Sequence, residues 1–329
     1  MLRKVLTAAL LLTAGTIVFT MFTDRRADLR EAGAEARFPP LGEFVDVGGA
    51  KVHVVVKGEG PDLVLIHGAS GNIRDMEMAL GDHLTDHYRV FFVDRPGHGW
   101  SDRLGPTYER PFSTKAESLS EQAKVLSEAV TKLGAKDPIV LGHSYGGAVA
   151  MAWGLDHPAS ALVIVSGAIL PWPGDIDFTY RLLGSKLGGG IVAPLASAYI
   201  PEGYVAKAAN RAFRPQSAPP NYIAQSAVPL ATRITTLRAN NRMVKSLRPE
   251  IVEQSKRYDE LKLPIELLHG TADKTVYLSV HAGPLSERMD NAHLTPLDGI
   301  GHMPHHIVPE AISAAIDRAA KRAAEQPSG

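Results

Sequence analysis

The pentapeptide Gly142-His143-Ser144-Tyr145-Gly146 constrains this chain more than any other feature, because of what flanks it. The apolar stretch Pro138 to Leu141 before it reads as a buried strand, and the Ala-rich stretch Gly147 to Leu155 after it reads as a helix. A serine hydroxyl is a poor nucleophile at neutral pH, and a sharp strand-to-helix turn exposes it where a base can reach it. Such a turn brings strand and helix close together, and Gly142 and Gly146 leave the room this needs. It also aims the Tyr145 N–H, at a helix N-terminus, toward a reacting carbonyl. A bare G-x-S-x-G occurs often by chance; the strand-turn-helix setting gives this one its weight.

The rest of the chain supplies the frame for that turn. Glu43 to Val47 and Lys51 to Lys57 flank Gly48-Gly49 as a hairpin. Asp62 to Ile66, Val90 to Val93, Leu162 to Val165 and Pro264 to Leu268 are short continuous apolar runs, as expected of strands covered on both faces. Between two of these, Ser118 to Leu133 shows helical spacing at Leu119, Ala123, Leu126 and Val130. This alternation predicts βαβ units and a parallel sheet. From about Pro171 to Lys256 there are helical patches and several prolines without a buried-strand signal, which reads as an inserted helical cap over an apolar pocket; ordinary helices packed on the core are the alternative.

A nucleophilic serine needs a base, and position must choose among 13 histidines. His302 lies in the glycine-flanked loop Asp298-Gly-Ile-Gly-His302, just before a C-terminal helix from about Pro309, with His305 and His306 as nearby rivals. His83, His87, His281 and His293 read as ordinary surface or core residues, and His143 as a residue that shapes the turn. The acid that orients the base is expected at Asp273, directly after the strand Pro264 to Leu268, with Asp298 as the fallback. The oxyanion of a tetrahedral intermediate needs backbone donors. Tyr145 N–H is one; Ala69 N–H, in His67-Gly68-Ala69-Ser70-Gly71 after the strand Leu63 to Ile66, is the other, and Ser70 is a less direct contributor.

Taken together, His67-Gly68, Asp94-Arg-Pro-Gly-His98-Gly-Trp-Ser101, Gly142-His-Ser-Tyr-Gly146, Gly270-Thr-Ala-Asp273 and Gly301-His302 resemble the α/β-hydrolase superfamily, in its serine-nucleophile, esterase/lipase-like branch with a helical cap. The resemblance covers about Leu41 to Ala320 except the cap, and the chain order Ser, Asp, His agrees with it. It implies an α/β fold with a mostly parallel eight-stranded sheet and the cap between its halves. It also implies no metal and no organic cofactor, and a structural rather than catalytic Asp94. Aspartate-nucleophile dehalogenases and epoxide hydrolases are disfavoured by Ser144. Cleavage of a small or medium apolar carboxylic ester through an acyl-enzyme is the expected activity. A carbon–carbon bond hydrolase or a cofactor-free perhydrolase would use the same triad, and a ligand-binding receptor is the non-enzyme alternative.

Composition narrows the classes further. Lys plus Arg equals Asp plus Glu at 35 each, so nothing draws the protein toward nucleic acid. There is no cysteine, which excludes disulfides, thiolate nucleophiles and cysteine-ligated metals. The N-terminus is the unusual stretch. Arg3 and Lys4 precede an uncharged, mostly apolar run from Val5 to Phe22, which Asp24, Arg25 and Arg26 end. The run is longer than the roughly 7 to 15 residues of a signal peptide's apolar region and close to the roughly 20 that span a bilayer. Residues 1–23 therefore read as a membrane anchor, with a cleaved signal and a secreted product as the alternative. Charge on the two sides of the run does not fix orientation, and the domain is expected on the exported side. Residues 24–40, charged, Ala-rich and ending in Pro39-Pro40, read as a linker. The hydrolase core is expected over 41–170 and 257–325, with the cap at 171–256.

Overall fold

The computed structural model describes residues 1–326. The chain begins with helix α1 (Leu2–Arg37), followed by β1 (Glu43–Val47), β2 (Ala50–Lys57) and β3 (Asp62–Ile66). Helix α2 (Ile73–Leu84), β4 (Arg89–Val93), the single turn α3 (Pro106–Glu109), α4 (Leu119–Lys132), β5 (Ile139–His143), α5 (Tyr145–Asp156) and β6 (Ala161–Val165) complete the first half. A segment of helices joined by loops carries α6 (Phe178–Leu183), α7 (Ala193–Tyr199), α8 (Glu202–Arg211), α9 (Tyr222–Gln225) and α10 (Ile234–Gln254). The chain then closes with β7 (Ile265–Gly270), α11 (Ala282–Arg288), β8 (Ala292–Leu297), α12 (Pro304–Ile307) and α13 (Pro309–Ala324).

The eight strands form one sheet in the order β1-β2-β4-β3-β5-β6-β7-β8. The β1–β2 and β2–β4 pairs are antiparallel and all others parallel, so the expected mostly parallel eight-stranded sheet is present. Alternation along each central strand splits the core in two: Val64 and Ile66 join the cluster under α4 and α5, while Leu63 and Leu65 join the cluster under α2 and α13. Both faces are covered, which is why these strands read as unbroken apolar runs. Helix α4 starts where Ser118 and Glu121 form a reciprocal capping box, and α2 where the Asn72 side chain accepts from Arg74 N–H. Strand β8 carries no such apolar run: it is an edge strand whose central residues are only half-buried, and it takes its place by pairing with β7.

Helix α1 does two things. Its first part is apolar, with a mean hydropathy of 2.1 over its most apolar window, fully exposed and long enough to cross a membrane. Its second part falls where a linker is expected at 24–40, and there the helix continues unbroken to Arg37. Ala and Arg, both strong helix formers, dominate this stretch, and the helix ends just before Pro39-Pro40. It docks on α7 and the start of α10: Arg26 and Arg30 donate to the Ala198 carbonyl, Glu31 accepts from Ile234 N–H, and Arg233 pairs with Glu35 at 3.0 Å. Phe38 then fills a small apolar cluster with Ala227 and Leu230.

Candidate active site

The parallel strands deliver their following loops to one edge of the sheet, where side chains at strand C-termini converge. Ser144 follows β5 there with φ 52° and ψ −116°, a conformation that costs a non-glycine residue roughly 1–3 kcal/mol. Its neighbours hold it in place: Ser144 N–H donates to the Val165 carbonyl, and the Ser144 carbonyl accepts from Gly147 and Ala168 N–H. A Cβ at Gly142 would fall on the Gly146 carbonyl, and one at Gly146 on the Ile66 carbonyl, so the turn closes only with glycine at both places.

His302 Nε2 lies 2.9 Å from Ser144 Oγ, and its Nδ1 lies 2.7 Å from Asp273 Oδ2. Ser144, His302 and Asp273 retain only 9%, 6% and 3% of their exposure, so this line of groups is nearly closed to solvent. Burial penalises the Asp273 charge. The imidazoles of His269 and His302 and the N–H of Val276 outweigh that penalty and hold the carboxyl well below the usual carboxylate range. Asp273 is therefore ionised at neutral pH. The loop carrying His302 is fixed from two sides. Gln216 donates to the Gly299 carbonyl and accepts from Gly301 N–H, while His143 Nε2 sits 2.9 Å from the His302 carbonyl oxygen.

The rival candidates lie elsewhere. Asp298 is exposed and accepts from the Thr271 hydroxyl. His305 and His306 turn away from Ser144 toward Asp75. Asp94 is buried beneath the site, accepting from Ile73 and Trp100 N–H and lying 2.7 Å from His53 Nδ1. Among the loops that face Ser144, Ala69 and Tyr145 N–H have no acceptor within the described residues, whereas Ser70 N–H is taken by Asn240 Oδ1 at 2.7 Å.

Two residues near the site escape sequence reasoning. Arg95 sits inside the Asp94-Arg-Pro-Gly stretch and is fully buried, donating to the His67 and Gly68 carbonyls and to Gln122. Its position in that stretch was the only signal for it. Gln216, in a loop of the helical segment, had none.

A family model described as the alpha/beta hydrolase family matches residues 63–315. The chain belongs to that family. An uncharacterized protein of Mycobacterium tuberculosis (strain H37Rv) is 26% identical over 307 residues, covering 90% of this chain and 85% of that one. A pimeloyl-[acyl-carrier protein] methyl ester esterase of Aromatoleum aromaticum is 26% identical over 282 residues, 78% of this chain and 97% of that one. Among solved structures, an alpha/beta hydrolase fold protein from Burkholderia ambifaria superposes with a TM-score of 0.66 at 25% identity, covering 84% of this chain and 97% of that one. The chain is thus a hydrolase of this family with esterase-like relatives.

Proposed function

We propose that this hydrolase is a membrane-tethered serine esterase acting on small or medium apolar carboxylic esters through an acyl-enzyme. The observation that carries the reading is the continuous line Asp273–His302–Ser144, with the serine on a strained turn at 2.9 Å from the imidazole. As Ser144 Oγ attacks the acyl carbon, His302 Nε2 takes its proton and Asp273 steadies the resulting imidazolium. The oxyanion rests on Ala69 and Tyr145 N–H. Collapse expels the alkoxide, which receives the proton from His302, and water attacks the acyl-serine by the same route to release the acid. An alkoxide is an easier leaving group than an amine or carbanion, and one relative is named for methyl ester cleavage, which favours ester chemistry. No cofactor is required by this route.

In this reading the helical segment 171–256 is a cap that covers the pocket, in keeping with the near-closure of Ser144. The apolar part of α1 is the anchor, and the domain sits on the exported side of the membrane. The test is hydrolysis of p-nitrophenyl esters from acetate to laurate by the full chain in detergent, with Ser144→Ala as control and fluorophosphonate labelling of both. Turnover and labelling lost together in the control are expected. Equal near-background rates in both proteins would overturn the esterase reading.

A further inference from the structure

A second cluster of polar groups lies within a few residues of the base but takes no part in the chemistry above. His306 Nε2 lies 2.9 Å from Asp75 Oδ1, and His305 Nε2 lies 3.6 Å from Asp75 Oδ2. One donor atom from each of the three residues falls within 4.8 Å of the others. Asp75 is 4% exposed, His305 is 0% exposed and the His306 side chain is 2% exposed.

A buried imidazole ordinarily gives at least one nitrogen to a hydrogen bond. Among the described residues neither nitrogen of His305 has a hydrogen-bond partner, although the ring faces a carboxylate. Its Nε2 stands just beyond hydrogen-bond reach of that carboxylate. Two ligands bound to zinc at 2.0–2.1 Å and set at the tetrahedral angle lie about 3.3 Å apart. The two observed separations, one to each oxygen of Asp75, lie on either side of that value, so a small rotation of the carboxylate would set one oxygen against both imidazoles. Tyr222 Oη donates to Asp75 Oδ1 at 2.8 Å, the kind of support from behind that orients a metal-bound carboxylate. Two imidazoles and a carboxylate form a nitrogen and oxygen set suited to zinc and its first-row neighbours.

We propose that Asp75, His305 and His306 form a binding site for one divalent first-row cation, zinc by preference, that ties α2 and α12 together beneath α9. The role is structural. His305 follows His302 by three residues, and its ring also packs 4.2 Å from the ring of His143, whose Nε2 reaches the His302 carbonyl. A plain Asp75–His306 ion pair is the competing account, and it leaves both His305 nitrogens unsatisfied.

The full chain, purified in detergent, is assayed for metal content as isolated. It is then stripped with a chelator at mildly acidic pH and reloaded with zinc or cobalt chloride. Close to one metal per chain is expected, with a melting temperature that falls on stripping and returns by about 5 °C or more at hundredfold excess over Kd. Cobalt should give the visible bands of a tetrahedral site. His305→Gln and Asp75→Asn should lose metal and the thermal response, while His83→Gln, on the exposed face of α2, should keep both. Metal far below one per chain in the unaltered protein, before and after reloading, with no thermal response to zinc, would overturn the site. A thermal response that persists in His305→Gln would overturn its assignment to these residues. The arms on the unaltered protein decide the matter even if a variant fails to fold.

Discussion

The Arg95 guanidinium lies 4.3 Å from the centre of the Tyr145 ring and donates from the same group to the Gly68 carbonyl at 2.9 Å. It also donates to the His67 carbonyl at 3.1 Å and to Gln122 Oε1, whose amide nitrogen in turn donates to Tyr145 Oη. The N–H groups assigned to the oxyanion come from two different strand ends, at Ala69 and Tyr145. One buried cation braces both. Burial pulls Arg95 down to about 10, which still leaves it charged at neutral pH.

Removing that brace should damage the transition state more than substrate binding. Arg95→Met leaves the His67 and Gly68 carbonyls and Gln122 without their donor, each a buried loss of about 1–3 kcal/mol. A kcat lowered on the order of 10- to 100-fold with KM nearly unchanged is expected, with partial recovery in Arg95→Lys. Steady-state kinetics on a p-nitrophenyl ester, alongside a melting curve, separates this from simple unfolding, which would lower the active fraction and leave kcat per active site unchanged.

The acid can be identified by paired substitutions. Asp273→Asn keeps the shape but removes the charge that steadies the imidazolium, and kcat should fall on the order of 10³- to 10⁴-fold. Asp298→Asn, on an exposed side chain that only accepts from Thr271, should stay within about twofold of the unaltered enzyme. Active-site titration with a fluorophosphonate fixes the enzyme concentration for both. Equal losses in the two variants would remove Asp273 from its role.

Much of this was legible in the chain, and the reason lies in which features are local. The central strands are buried on both faces and so appear as unbroken apolar runs. Ser144, Asp273 and His302 each follow a predicted strand or occupy a glycine loop, which marks them as candidates. Their distances come only from the fold. Strand β8 was hidden because an edge strand needs few apolar residues, and Pro296 argues locally against it. The docked half of α1 looked like a linker because its charges find partners only in space: Arg26 meets a carbonyl 172 residues along the chain. Gln216 and the Asp75–His306 contact, 231 residues apart, have no local signature of any kind.

Gln216 should behave as a latch between the helical segment and the loop that carries His302. Its amide bridges Gly299 and Gly301 on either side of the loop turn that leads into His302. Gln216→Ala removes two hydrogen bonds, worth about 1–3 kcal/mol together. A kcat reduced about tenfold is expected, together with faster amide exchange across 299–303. Hydrogen-exchange mass spectrometry checks this, and exchange unchanged in the variant would show that the loop is held by other contacts.

Acid should destabilise the fold before it protonates Asp273. Burial, reinforced by Arg95, pushes His67 down to about 4 and His98 well below its ordinary value; burial likewise pushes His281 to about 4. Each is neutral in the fold yet takes up a proton near pH 6.5 when unfolded. Their contribution is therefore complete above that pH and lost as pH falls toward 4, at about 1.4 kcal/mol per pH unit per histidine. Of the drop seen by urea denaturation between pH 7.5 and pH 5.5, these three histidines should account for on the order of 4 kcal/mol, and His281→Gln should make the drop shallower by about 1.4 kcal/mol.

The two halves of α1 should separate in a deletion series. Removing residues 1–22 takes away the exposed apolar part and leaves Thr23 onward docked, so the product should partition into the soluble fraction and melt like the full chain. Removing residues 1–40 also takes away Phe38, which is 3% exposed, its carbonyl bond from Trp100, and the Glu31 and Glu35 partners of Ile234 and Arg233. That loss is on the order of 3 kcal/mol or more, a fall of roughly 5 to 10 °C in melting temperature for a domain this size. Because the lost contacts lie on α10 and on the loop carrying Trp100, the shorter product should also expose new apolar surface to a hydrophobic dye. Equal melting temperatures for the two products would mean that residues 23–40 tether the domain without stabilising it.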